Sequence, residues 1–144
     1  LLGKSLDYST QEVIGYTTMI VSLSFVFFGI KHYRDNENNG KISFGKALQI
    51  GLLISLFAGL GFGIIDYIYT AIINPDFATE YLDKTLATMK ETLSAEEFSK
   101  QKVILEQQMK DYGSPWFMAF IMFISVVIIG FIISLISSLF LQRK

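Results

Sequence analysis

An all-α, polytopic helical membrane protein is predicted by three observations: apolar runs free of charge, the length of each run, and a charged amphipathic stretch set between the last two. Residues 13–30, 47–65 and 116–141 contain no Asp, Glu, Lys or Arg. Each reaches the roughly 18–20 residues that a helix rising about 1.5 Å per residue needs to cross a bilayer. At 51% hydrophobic and 15% aromatic residues, the 144-residue chain is too apolar for a soluble domain of its size.

Composition also narrows the chemistry. A net charge of -1 offers no electrostatic footprint for nucleic acid. The chain has no cysteine, which removes disulfides, thiolate metal sites and cysteine nucleophiles together. His32 is the only histidine, and between Lys31 and Tyr33 at a helix end it reads as an interfacial polar residue. Intramembrane hydrolysis would need a nucleophile with a base. The apolar runs offer Ser22, Ser24, Ser55, Ser125, Ser134, Ser137 and Ser138, with no histidine, lysine or carboxylate among them. A non-enzymatic protein with no cofactor and no metal is expected.

Taken in order, residues 1–12 are polar and turn-rich and form an extracytoplasmic segment; Leu1-Leu2 suggest the remnant of a missing or truncated first helix. Residues 13–30 form a transmembrane helix with Gly15, Ser22 and Gly29 at heptad spacing on one face. Residues 31–46 form a cytoplasmic loop, because the run Asp35-Asn36-Glu37-Asn38-Asn39-Gly40 favours turns. The second transmembrane helix covers 47–73 and is longer than a span requires, so its outer end projects. Asn74-Pro75 supplies its stop and a cap with a first-turn proline for the next helix.

The composition then changes. Residues 76–112 carry eight acidic and five basic side chains, alternating with apolar ones at helical spacing. Phe77, Tyr81, Met89 and Leu93 make one stripe; Phe98, Leu105, Met109 and Tyr112 make another. Ser94-Ala95-Glu96-Glu97 has the form of a capping box and starts a second helix. Residues 74–114 are therefore an extracytoplasmic helical hairpin. Phe77, Tyr81, Met89, Phe98, Leu105 and Met109 are candidates to contact a partner. Gly113-Ser114-Pro115 leads into the last transmembrane helix, 115–141, with Trp116 at the interface and a cytoplasmic tail at 142–144.

Orientation follows from the basic residues. Lys31, Arg34, Lys41 and Lys46 share one loop, and Arg143 and Lys144 lie two crossings away on the same side. That side is expected to be cytoplasmic, in the bacterial inner membrane.

Within the helices the most regular feature is Gly51, Ser55, Gly59 and Gly63, a small residue at every fourth position, flanked by Ala58 and Gly61. Gly130, Ser134 and Ser138 repeat the pattern in the last helix. Such ridges let backbones approach closely in lipid, either within the chain or against another subunit. Asp66 is the one acid in the long apolar run of the second helix, and an intramembrane acid is a candidate ion or proton site. Counting about 20 residues from Ala47 puts it at the outer interface, where it can be hydrated.

The loop FGIKHYRDNENNGKISFGKAL, Asn74-Pro75-Asp76-Phe77, the re-entry from Tyr112 to Trp116 and the ending ISLISSLFLQRK resemble a family of Bacteroidota inner-membrane proteins known as a domain of unknown function, DUF4199 type. The resemblance spans nearly the whole chain. It implies four crossings, the first missing or truncated here, and a hairpin between the last two; it implies no activity. The expected function is an accessory or scaffolding subunit of an inner-membrane or envelope complex, with lipid and other subunits as partners. A component of a small-solute or ion transporter or channel is the alternative.

Overall fold

The computed structural model describes residues 8–144. Lys4 and most of the polar segment before the first helix lie outside these residues. The described residues fold into five α-helices: α1 (Tyr8–His32), α2 (Phe44–Ile68), α3 (Phe77–Thr92), α4 (Ala95–Tyr112) and α5 (Pro115–Leu141). Three stretches, Ser9–Glu37, Phe44–Ile73 and Pro115–Leu141, are long and apolar enough to cross a membrane.

Helix α1 starts five residues before the apolar run, because a helix once nucleated gains a hydrogen bond for each residue it adds. The expected loop is also partly helical. A five-residue π turn, Tyr33–Glu37, continues α1. Such a turn admits an extra residue, and Arg34 is the one it buries. Gly40 N–H then donates to the Arg34 carbonyl at 2.8 Å, which requires positive φ at Asn39 (53°) and Gly40 (75°). A second π turn, Tyr69–Ile73, follows α2 and closes when Asn74 N–H donates to the Tyr69 carbonyl at 2.7 Å.

Asn74 does not cap α3 with its side chain. Asp76 takes the capping position, without a side-chain cap, and Pro75 lies outside the helix. The Asn74 amide instead donates to Glu80 Oε2 at 3.0 Å, which satisfies a buried polar group.

The chain divides into two compact units, one reaching to Leu60 and including Ile124–Lys144, the other Gly61–Phe123. In the first, α1 buries Met19, Leu23, Val26 and Ile30, spaced for one helical face. Ala47 and Ser55 on α2, and Val126, Ser134, Ser137, Ser138 and Leu141 on α5, complete its core. In the second, α3 and α4 pack as a hairpin in which no residue is fully buried. Phe77, Leu82, Leu86 and Met89 of α3, and Phe98, Leu105 and Met109 of α4, are half-buried.

Two local devices define the ends of α4. At the start of α4, Ser94 Oγ accepts from Glu97 N–H while the Glu97 carboxylate accepts from Ser94 N–H, a complete capping box. At its end, a side chain on Gly113 would run into the Met109 carbonyl, so only glycine fits. Ser114 Oγ then accepts from Phe117 N–H at 3.3 Å, which opens α5 with Pro115 in its first turn.

Candidate functional site

The geometry most clearly built by the sequence is a reciprocal lock between α2 and α5. A methyl group added at Gly51 would strike Ser134 Oγ, with Ser134 Cβ at 2.7 Å and Val26 Cγ1 at 3.1 Å. One added at Gly130 would strike Ser55 Oγ, with Ser55 Cβ at 2.5 Å and Leu23 Cδ2 at 3.2 Å. Each helix thus contributes a glycine that receives the other helix's serine, four residues apart on both sides. The serines keep their polarity to themselves: Ser55 Oγ donates to the Gly51 carbonyl at 2.8 Å and Ser134 Oγ to the Gly130 carbonyl at 2.6 Å. A hydroxyl satisfied within its own helix can sit in an apolar contact without an open donor. Leu23 and Val26 of α1 seal the same contact.

Gly59 and Gly63 are buried as well. A methyl group at Gly63 would come within 3.1 Å of the Ala119 carbonyl. Ser138 is fully buried, and its hydroxyl has no hydrogen-bond partner among the described residues.

The small residues of α1 behave differently. Nothing lies within 4 Å of a side chain added at Gly15, Ser22 is half-buried, and at Gly29 only the flexible tip of Ile54 approaches, at 2.5 Å. Helix α1 packs through Leu23 and Val26 rather than through a small-residue ridge. At about 100° per residue, the buried stripe is turned roughly 70° from the line through Gly15, Ser22 and Gly29. Heptad spacing put those three on one face; the neighbours lie on another.

Arg34 was missed from sequence because it sits in a run that looks solvated. It is buried, and its guanidinium grips Asp35 with two bonds, Nε to Oδ1 at 2.6 Å and Nη2 to Oδ2 at 3.0 Å. Nη1 donates to the Leu141 carbonyl at 3.3 Å. The last turn of α5 contains no basic residue, and its open carbonyls at the negative dipole end favour a cation. Arg34 supplies it from the loop. Beside it, Ile42 and Arg143 exchange two backbone hydrogen bonds, 2.9 and 2.8 Å, which join the loop to the C-terminal tail. Ile42 is buried and acts as the apolar peg of this bridge.

Asp66 is half-buried, and its Oδ2 reaches neither solvent nor a hydrogen-bond partner among the described residues. It falls within the apolar stretch Phe44–Ile73. One residue on, Tyr67 packs on Trp116 with ring centroids 5.5 Å apart.

Of the hairpin residues proposed from sequence for partner contact, Phe77, Met89, Phe98, Leu105 and Met109 are half covered within the hairpin's own unit. Tyr81 is exposed and stacks on Phe77 at 6.2 Å. Mid-helix, α4 leaves the aliphatic pair Val103 and Ile104 outward, 66% and 50% exposed, while Tyr112 at its end is exposed and packs on Phe117 with ring centroids 4.9 Å apart.

In α2 and α5 the usual distribution is inverted: Ser55, Ser134, Ser137 and Ser138 are buried while Phe57, Trp116 and Phe140 stand more than 70% exposed. Only 22% of the most apolar part of each span is buried. Surfaces this greasy are compatible with a hydrocarbon surround and not with water. The molecule is a polytopic helical membrane protein.

The chain belongs to the family described as "Protein of unknown function (DUF4199)", which matches residues 1–143. No curated protein and no solved structure gave a match.

Proposed function

We propose that the chain is a non-enzymatic accessory or scaffolding subunit of a complex in the bacterial inner membrane or envelope, with the hairpin extracytoplasmic and the C-terminal tail cytoplasmic. The observation that carries this reading is the outward apolar pair Val103 and Ile104 on α4, set among Lys100, Lys102 and Glu106. The mixed charges on this helix disfavour flat binding to a lipid surface, whereas a protein surface can cover the pair. The α2–α5 lock supports the same reading, because it makes a rigid base rather than a moving gate. A photo-reactive residue at 103 or 104 should crosslink to one defined envelope protein in cells, and V103K/I104K should abolish the adduct. Recovery of a lone monomer from mild detergent, with crosslinks only inside its own chain, counts decisively against the proposal.

One observation favours a second reading. Asp66 holds an unpartnered carboxylate oxygen within an apolar span, where a transporter component would bind a proton or cation. Proton and solute flux in vesicles, wild type against Asp66→Asn, separates the two. Flux that is present and lost in the variant supports transport; unchanged flux removes it.

A further inference from the structure

We propose that the loop between α1 and α2 and the C-terminal tail together form a docking surface for the phosphate groups of anionic phospholipids. The two segments are far apart in sequence, and the fold joins them. Ile42 pairs with Arg143 through two backbone bonds, and Arg34 Nη1 reaches the Leu141 carbonyl at 3.3 Å. Lys41 precedes Ile42 and Lys144 follows Arg143. Lys46 is drawn to the same loop, its Nζ 5.6 Å from the centre of the Tyr33 ring. Lys31 stands one turn before Arg34.

The charges do not cancel. The two segments, with the helix turns that flank the loop, hold six cations, Lys31, Arg34, Lys41, Lys46, Arg143 and Lys144, against Asp35 and Glu37. Arg34 and Asp35 neutralise each other in a bidentate pair. Five cations are left against one further acid, Glu37, with Lys31 and Arg143 also close enough to attract the Asp35 carboxylate. Lys31, Lys41, Lys46, Arg143 and Lys144 are all exposed, and among the described residues no carboxylate lies within 4.0 Å of any of them.

Position identifies the occupant. These cations surround the last turn of α1, the first turn of α2 and the end of α5, the points at which the apolar stretches give way to polar chain. Lipid phosphates lie at that level of a bilayer, and juxtamembrane lysines and arginines attract anionic headgroups. By contrast, Lys100 and Lys102 on α4 each have a glutamate one helical turn away, at 2.7 and 3.7 Å. Their charge is already answered.

The test uses the full chain in nanodiscs of phosphatidylcholine with and without phosphatidylglycerol, reading retained lipid by native mass spectrometry after release. Wild type should retain phosphatidylglycerol in preference to phosphatidylcholine, and raised salt should weaken the preference. Each cation removed should lower it about fivefold, so K41Q/R143Q/K144Q should erase it. K100Q/K102Q serves as the control and should keep it. Unchanged helical circular dichroism shows that the triple variant is folded; if it is not, the salt dependence of wild type carries the decision. The proposal is overturned if the triple variant retains the wild-type preference, if the α4 control loses as much, if wild type shows no salt-sensitive preference, or if inorganic phosphate alone displaces the lipid.

Discussion

Gly130→Ala and Gly61→Ala are the same substitution on neighbouring helices, and the structure assigns them opposite signs. At Gly130 the new methyl meets Ser55 Cβ at 2.5 Å, about 1 Å inside the 3.5 Å or so at which carbon atoms attract best. Ser55 cannot swing away as a long side chain would, since its Cβ is fixed to the α2 backbone. The helices must therefore separate or the chain bend, and overpacking of this kind costs about 1–3 kcal/mol. In lipid the loss is not made up by hydrophobic burial, because close contact itself drives the association. At Gly61 nothing lies within 4 Å, so alanine contributes only its better helix propensity, up to about 1 kcal/mol. Both variants gain the same helix propensity, so they should differ by the overpacking cost alone, about 1–3 kcal/mol, in SDS-induced unfolding from mixed micelles, followed by far-UV circular dichroism. Ser55→Gly added to Gly130→Ala should recover much of the loss, and the double-mutant cycle should show coupling of about 1 kcal/mol or more. If Gly130→Ala unfolds at the same SDS fraction as Gly61→Ala, or if Ser55→Gly gives no relief, the lock between α2 and α5 is not what holds the helices.

Ser94→Ala removes one half of the capping box and should destabilise the start of α4 by about 1 kcal/mol, read as faster amide exchange at residues 96–98. The Ser94 hydroxyl, with a smaller contribution from the Ser94 amide, holds the Glu97 carboxyl below its usual range. Because the folded value is the lower one, this stabilisation is present above the unfolded value and disappears as pH falls through the folded value. Acidification should thus fray α4 in wild type and change little in Ser94→Ala, measured by exchange at matched intrinsic rates. Arg34→Gln leaves the α5 carboxyl end and Asp35 without their shared cation, so the Ile42 and Arg143 amides should exchange faster while the α4 amides stay unchanged. Gly113→Ala drives a side chain into the Met109 carbonyl and should unwind the last turn of α4, visible as increased exchange at residues 111–113.

What could be read from the sequence was whatever depends on a single segment. The three spans follow from length and absence of charge, since any helix that long and apolar must leave water. The capping box at Ser94 and Glu97 was legible because its donors and acceptors lie within four residues of one another. The hairpin stripes were legible because helical periodicity gathers them on one side of each helix. Asn74-Pro75 misled for the same local reason: the pair fits the pattern of a cap, but the buried Asn74 amide found Glu80 instead.

Tertiary structure decided the rest. Spacing can put small residues on a common face, but it cannot say whether a neighbour meets that face. Gly51 and Gly130 are keyed into serines of the opposite helix while Gly15, as regularly placed, touches nothing. Arg34 looks like one more loop cation until the end of α5, more than a hundred residues later, is brought to it. The bridge between Ile42 and Arg143 has no signature in either strand of sequence, because its partners become neighbours only once three helices have ended at the same place. Periodicity and charge act along one chain segment, whereas close approach and the satisfaction of buried polar groups depend on which segments meet.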